Sequence, residues 1–542
     1  MTPRIQNLHN HRSRSYSCRT VQFPSDVVTV YRSLYRSGLF RLSPVGAVRA
    51  ARALRTYGIS VVGLTVANAS LCGSRIFLVD DRGELTFGEF DRRTDALACG
   101  LSARGLTAGD RVGILCRNHR YFLEAMVACA KLGVDTVLLN SDFAGPRTLS
   151  VALREHLVAV VADADLRVLA PPRDLPFSYI EGWPGKEMEA LMEAYQGMRP
   201  PPPPLQADQV ILTSGTTGEP VALPRVALER QPGTLAAILD RVGMRVGDPI
   251  LIAVPLFHAW GFGNLILALV TRAKVVLRRK FNAEDVLRMI EAQQIRSAVI
   301  VPVMAQRLLK LTRDIQLRYD LTTLHTFQSA GARFEAALAE DFQDAYGERL
   351  VNVYGSTEVG GIAYAVPSEL RGAPGTAGRP LNGTEVSISS PDGWSVPNGV
   401  SGEIRVRRRS RLFGSHRDSG WAITGDVGYI DPQSGLLFVS GRRDEMVICG
   451  GENVYPSDVE RVLASHPDIE EAAITAVPDL EFGTRLAAWV VARPQSQLDE
   501  VQVRDYVRRH SARYHVPRDV TFLAALPRNA AGKVVARNFH QK

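Results

Sequence analysis

"DRVGILCRNHRYFLEAMVACAKLGVDTVLLN", residues 110–140, is the stretch from which the fold can be read. A short apolar run, RVGIL, leads into a segment with apolar residues at helical spacing, and a glycine separates that segment from a second run, DTVLL. Strand, helix and strand in this order predict a parallel pair covered by its crossover helix. A strand, a turn and an amphipathic helix are read just before it in RIFLVDDRGELTFGEFDRRTDALACGLSARGL (75–106). Further units follow in VAVVADADLRVLAP (158–171), DPILIAVPLFHAWGFGNLILALVTRAKVVL (248–277) and RSAVIVPVMAQRLLKLT (296–312). Such alternation predicts the α/β class, mostly parallel sheets covered by helices.

The proline run MRPPPPPLQADQ (198–209) can be neither helix nor central strand and reads as a linker. Beyond about residue 385 the pattern changes to short strands separated by Gly, Pro and Asp turns: TEVSISS, GEIRVRR, GYID and GLLFVSGR. The chain then closes with a helix in PSDVERVLASH, strands in EAAITAVP and RLAAWVVA, and a helix in DEVQVRDYVRRH. The expected division is a basic N-terminal extension over 1–60, a large body over 61–443 with a β-rich subdomain at its end, and a small mobile α+β domain over 444–542.

With 45% hydrophobic and 22% charged residues in 542, the chain has the balance of a soluble protein of more than one domain. No apolar run reaches the roughly 20 residues a membrane-spanning helix needs. The six cysteines show no CxxC spacing, which argues against a zinc or redox motif and for reduced thiols in the cytoplasm. The net charge of +8 is modest, and no nucleic-acid partner is expected. It is uneven, however: between Met1 and Thr56 the only acidic residue is Asp26. This front segment reads as a basic tail, as an Arg- and Ser-rich transit peptide, or, over FRLSPVGAVRAARALRTYG (40–58), as a basic helix. In the last case Arg49, Arg52 and Arg55 alternate with Val48, Ala51 and Leu54, and the helix either lies on anionic lipid or packs on its own domain.

TSGTTGEP (213–220) sets Thr213, Ser214, Thr216 and Thr217 around Gly215 and Gly218. Glycines let backbone N–H groups turn toward an anion, and the hydroxyls add donors, so the segment suits phosphate. It lacks the GxxxxGK[ST] pattern of a Walker A loop and the strand-to-helix context that goes with it. Four later segments carry matching chemistry: VYGSTEVGG (353–361), WAITGDVGYID (421–431), GRRDEMVICGGENVYPSDVE (441–460) and PRNAAGKVVAR (527–537). Activating a carboxylate with ATP brings two anions together and calls for a cation, a metal ligand and a grip on the nucleoside. Glu358 is a hard oxygen donor suited to Mg²⁺, and Asp426, on a turn, can take both hydroxyls of a ribose.

Together and in this order the five segments resemble the signatures of the adenylate-forming superfamily, in its acyl-CoA synthetase and fatty-acid–CoA ligase branch, from about residue 85 to the C-terminus. The resemblance implies ATP, Mg²⁺ and coenzyme A, and residue roles with them. Thr213 to Gly218 would cradle phosphate, Thr357 would bond the α-phosphate, Glu358 would hold the metal, and Tyr354, followed by Gly355, would lie on adenine. Gly331, Ala332 and Arg333 of SAGAR would wall the adenine and the acyl carbonyl, Arg442 would join Asp426 at the ribose, and His258 of PLFHAWGFGN would sit beside the carboxylate. Lys533 would stabilise the developing charge of adenylation. Asp444 would be the hinge about which the small domain turns, exchanging Lys533 for Gly450 and Gly451, whose missing side chains leave room for pantetheine.

Two adjacent positions depart from the family pattern. Most relatives continue the first loop with Pro-Lys-Gly, whereas here Pro220 is followed by Val221 and Ala222. Either catalysis is real but slower, or Arg225 substitutes, or adenylation is lost and the protein binds acyl groups or nucleotides without turnover. The other charged positions, Glu358, Asp426, Arg442, Asp444 and Lys533, are all present, which favours a working enzyme. The expected substrate is a small-molecule carboxylic acid, with medium- or long-chain fatty acid preferred because FHAWGFGNLILALV and VIVPVMAQRLL could line an apolar tunnel. Both segments would be equally at home as buried core, and aryl and short-chain acids are the alternatives. A fatty acyl-AMP ligase that loads a separate carrier protein is the alternative within the family.

Overall fold

The computed structural model describes residues 32–39, 44–141, 145–166, 178–214, 220–223, 232–356, 359–408, 420–443, 447–449, 452–479, 483–511, 513–529, 534–535 and 539. Strands and helices alternate through the body as α/β, and two large sheets result. In the six-stranded sheet the order is Ser178–Glu181, Ala159–Ala162, Arg111–Leu115, Asp135–Leu138, Gln209–Ser214, Pro220–Leu223. All its pairs are parallel except the last, which is a hairpin.

The nine-stranded sheet runs Arg379–Pro380, Gly360–Ala365, Leu350–Ser356, Thr326–Ser329, Ser297–Ile300, Ile250–Ile252, Val275–Leu277, Ile76–Asp80, Gly83–Thr86, with a parallel centre and antiparallel edges. Its central strands are buried at every position, as ILI, VVL and SAVI are, because helices cover both faces. One contiguous core joins Leu78, Phe87, Leu97, Ile114, Phe122, Ile250 and Leu265 from both sheets and the helices between them.

Local chemistry sets the boundaries. Thr86 caps the Phe87–Ala103 helix by accepting from the Glu89 N–H at 3.2 Å, while Glu89 Oε2 takes the Thr86 N–H at 2.8 Å. The Arg120–Leu132 helix stops at Gly133, whose φ of 77° an L side chain would resist. Its first residue is fixed by a buried ion pair, Arg120 Nη2 to Asp80 Oδ1 at 2.6 Å. The segment Gly83–Thr86, expected as part of a turn, is an edge strand paired antiparallel with Ile76–Asp80. Turn chemistry in DDRG closes a hairpin there before the helix begins.

The β-rich subdomain is a four-stranded antiparallel sheet, Thr384–Ser389, Gly402–Arg408, Ala422–Ile430 and Leu437–Arg442. Near the C-terminus a three-stranded sheet, Ile469–Asp479, Gly483–Ala492 and Asp519–Phe522, packs under helices Pro456–Ala464 and Glu500–His510. Its core, with Val459, Leu463, Val490, Val503 and Val507, is separate from that of the body.

In the front segment, Pro44–Tyr57 is a helix. Gly46, Ala50 and Ala53 turn inward, with Leu54 half-buried beside Ala67 of the Val61–Cys72 helix, whereas Val48 and Ala51 face outward. Small residues allow the two helices a close approach that Val48 would have prevented. No helix among the described residues is long and apolar enough to cross a membrane.

Candidate active site

The strand Gln209–Ser214 brings the first signature to the carboxyl edge of the six-stranded sheet. Its partner Pro220–Leu223 pairs in register, Thr213 opposite Val221 and Ser214 opposite Pro220. The segment thus joins two antiparallel strands rather than a strand and a helix, as expected of a loop that is not a Walker A. Gly215, Thr216, Thr217 and Gly218 lie outside the described residues, as do Thr357, Glu358, Asp444, Gly450, Gly451 and Lys533. The strands Val447–Cys449 and Glu452–Val454, on either side of the two glycines, pair antiparallel.

Of the remaining predicted residues, Tyr354, Asp426, Arg442 and Arg333 come together where the nine-stranded sheet faces the β-rich subdomain. Strand Leu350–Ser356 carries Tyr354, whose hydroxyl donates to Asp426 Oδ2 at 2.6 Å. Burial pushes the Tyr354 phenol well above its usual pKa, and the Asp426 charge adds to this, so the hydroxyl remains a donor. Gly355 is required by the hairpin: a Cβ there would lie 2.3 Å from the Gly360 carbonyl oxygen.

Asp426 stands directly across from Arg442 in neighbouring strands, with Arg442 Nη1 4.0 Å from Asp426 Oδ1. Gly425, at φ 78°, leaves space for that guanidinium, since a Cβ would meet Arg442 Nη2 at 3.2 Å. The Asp426 N–H is held by Thr424 Oγ1 at 3.1 Å, and the Thr424 hydroxyl donates to the Ile404 carbonyl at 3.0 Å.

After strand Thr326–Ser329 the chain turns at Gly331, φ 88°, and Gly331 and Ala332 are exposed. Arg333 reaches across to donate to the Ser440 carbonyl at 3.3 Å, the same oxygen that takes the Ser457 hydroxyl at 2.7 Å. His258 is half-buried at the start of the Ala259–Val270 helix, its ring 4.5 Å from that of Phe257. Two residues on, Trp260 Nε1 donates to the Ile300 carbonyl at 3.1 Å. Val301, next to Ile300, is the nearest side chain to a Cβ at Gly331, at 3.6 Å. Trp260 and Gly331 thus both border the Ile300–Val301 segment and form a wall, and His258 precedes the helix that carries Trp260.

Some contributors were not anticipated. Asn352, two residues before Tyr354 on the same strand, has a buried Oδ1 with no hydrogen-bond partner among the described residues, and so does the Ser329 hydroxyl opposite it. Period-two spacing from Tyr354 was the available clue to Asn352. Further off, Cys116, His119 and Asp163 place potential metal-ligand atoms within 4.8 Å of one another. Asp163 is already engaged, by His119 Nε2 at 2.8 Å and by the N–H groups of Arg117 and Trp183 at 3.1 and 3.0 Å. Its burial would raise the carboxyl pKa, but the His119 bond and these donors outweigh burial and hold it below the usual range. The cluster fastens loops together.

Residues 66–413 match the family described as AMP-binding enzyme, and residues 458–533 match the AMP-binding enzyme C-terminal domain. The chain belongs to the AMP-binding enzymes, the adenylate-forming superfamily. It is 31% identical over 486 residues to a 2-succinylbenzoate–CoA ligase of Bacillus licheniformis, covering 86% of this chain and 97% of the relative. It is 34% identical over 478 residues to an indoleacetate–CoA ligase of Aromatoleum aromaticum, covering 83% and 92%. Among solved structures, o-succinylbenzoate CoA synthetase from Bacillus subtilis, in complex with its acyl-adenylate intermediate, superposes with a TM-score of 0.75 at 27% identity, covering 88% of this chain and 97% of that one. This adenylate-forming ligase is accordingly an enzyme of the acid–CoA ligase type, using ATP, Mg²⁺ and CoA.

Proposed function

We propose that the enzyme couples an aromatic carboxylic acid to coenzyme A through an acyl-adenylate. In the first step a carboxylate oxygen attacks the α-phosphorus of ATP, the bond to the β-phosphate oxygen breaks, and pyrophosphate leaves. In the second the CoA sulfur attacks the acyl carbonyl, and the carbon–oxygen bond to AMP breaks. The observation that carries this reading is the Tyr354–Asp426 hydrogen bond beside Arg442, which orients a carboxylate for a diol next to an aromatic ring.

In this reading Tyr354 supports adenine, Asn352 Oδ1 accepts from its exocyclic amino group, and Asp426 with Arg442 holds the ribose. Thr213 to Gly218 and Thr357 take the phosphates, Lys533 faces the reacting oxygens, and the small domain turns about Asp444 to bring Gly450 and Gly451 to pantetheine. Mg²⁺, when bound, neutralises phosphate charge, and Glu358 is the hard carboxylate suited to hold it. Val221 removes one cation from this set, and the remaining groups sustain a slower reaction.

The acid class rests on the wall beside His258. Trp260 is tethered by its indole N–H, so it presents a large fixed surface, which favours a flat, compact acid. The two named relatives act on aromatic acids by their names. Leu265, Leu267 and Leu269, in a segment that suited either an acyl tunnel or the buried core, are packed in the core. A fatty acid is the second reading, supported by Phe262, Ile266 and Val303, apolar side chains near this wall that are only partly buried. The test is CoA thioester formation from MgATP with arylacetic, benzoic and straight-chain acids in parallel. A higher kcat/KM for aryl acids supports the proposal, and a rise with alkyl chain length overturns it in favour of the second reading.

A further inference from the structure

We propose that the outer face of the Pro44–Tyr57 helix is a docking surface for bilayers containing anionic phospholipid. The helix buries Gly46, Ala50 and Ala53 and leaves Val45, Val48, Arg49, Arg52 and Arg55 outward on one continuous arc. Val45 is 63% exposed and Val48 71%, apolar side chains on an otherwise charged face. The three arginines make no ion pair or side-chain hydrogen bond among the described residues, and the same holds for exposed Arg32 and Arg36 just before the helix. The helix contains no acidic residue.

Elsewhere on this protein arginines are typically paired, as Arg93, Arg117, Arg241 and Arg407 are. A face of arginines without ion-pair partners among the described residues, interleaved with exposed valines, fits a lipid headgroup layer, where arginine meets phosphate and valine reaches the acyl boundary. A nucleic acid would use the charges but has no need of the valines.

The surface is rigidly attached. Ala50 and Ala53 pack on Ala67 of the Val61–Cys72 helix, which is capped by Ser60 and tied by Asn68 Nδ2 to the Leu269 carbonyl at 2.7 Å. Leu269 lies near the end of the helix that starts at the His258 and Trp260 wall, roughly 15 Å away at 1.5 Å per residue. Docking would therefore hold the acid-binding wall at a fixed distance from the bilayer.

The test is cosedimentation of the full chain with vesicles of phosphatidylcholine alone or with an equal part of phosphatidylglycerol. Binding is expected only to the anionic vesicles, with release as salt shortens the Debye length below about 10 Å. Each arginine lost should weaken partition about fivefold, so R49Q/R52Q/R55Q should lose about 100-fold. The V45D/V48D variant should also bind more weakly, and both variants should keep the melting temperature and turnover of the parent in vesicle-free buffer. Equal sedimentation with neutral vesicles, unchanged binding of the triple arginine variant, or capture by heparin or DNA with none by vesicles would overturn the proposal.

Discussion

Replacing Tyr354 by phenylalanine isolates the contribution of one hydrogen bond to nucleotide binding. The ring remains to support adenine, and only the 2.6 Å bond to Asp426 is lost. That distance lies in the short range typical of a hydroxyl donating to a charged carboxylate. Asp426 is 15% exposed, so water cannot fully replace the donor. Hydrogen bonds to charged groups are worth about 1.5–3 kcal/mol, and partial exposure argues for the lower half, about 1.5–2 kcal/mol. Arg442 does not compensate well, because at 4.0 Å it attracts the carboxylate without fixing its plane.

The expected result for Tyr354→Phe is therefore a rise in KM for ATP of about 10- to 30-fold. The kcat of pyrophosphate release should change less than about threefold, since the ribose is remote from the reacting phosphorus. Steady-state pyrophosphate release with saturating acid and varied ATP measures both constants, and calorimetric titration with AMP gives the affinity directly. Unchanged KM and AMP affinity in a folded Tyr354→Phe protein would refute the reasoning, because the carboxylate would then be oriented by other groups.

Further expectations concern the loop, the acid pocket and stability. Val221→Lys with Ala222→Gly restores a cation beside the phosphates and should raise the rate of pyrophosphate release at least tenfold, the equivalent of about 1.5 kcal/mol; no gain in stopped-flow measurements would mean that the loop does not limit the reaction. Trp260→Ala removes the tethered indole and should lower kcat/KM for aryl acids by about 10- to 100-fold while raising it for longer alkyl acids, corresponding to the roughly 1.5–3 kcal/mol of a buried large side chain. Asp163→Ala leaves the buried His119 ring and two partly buried N–H groups without an acceptor and should cost about 3–5 kcal/mol, read as a lowered denaturant midpoint. Asp80 is buried, which would raise its pKa, but its bonds to Arg120 lower it below 3.8; the unfolded state thus binds the proton more tightly, and this stability is present above that pH and lost as pH falls through the depressed value. Urea titrations at successive acid pH values should show the loss, and a midpoint constant down to the lowest pH at which the protein stays soluble would contradict it.

The α/β architecture was legible because its local cues agree. Apolar runs such as SAVI and VVL are shorter than a helix needs and rich in β-branched residues, which favours buried strands, and they are buried strands. Candidate site residues were legible where chemistry accumulates within a few positions, as around Tyr354, Asp426 and Arg442, which the fold brings together. Other features depend on tertiary contact. Asn352 is notable only because its amide oxygen is buried without a partner among the described residues, and Asp163 because two separate segments, at 117–119 and at Trp183, donate to it. The helix Pro44–Tyr57 was recognisable from its spacing, but alanine, valine and leucine all count as apolar, so periodicity alone could not say which of them turns inward. Leu265 and Leu269 show the same ambiguity, since a tunnel lining and a packed core have one composition.

The most direct test is acid-dependent release of pyrophosphate from MgATP by the purified protein, followed by addition of CoA, with Lys533→Ala as the comparison. The expected result is release that requires the acid, capture of the acyl-adenylate by mass spectrometry, its conversion to thioester when CoA is added, and loss of the first step in the Lys533 variant. Absence of release with every aryl and alkyl acid, from a folded protein that binds AMP, would contradict the proposed reaction and leave a nucleotide-binding protein without turnover.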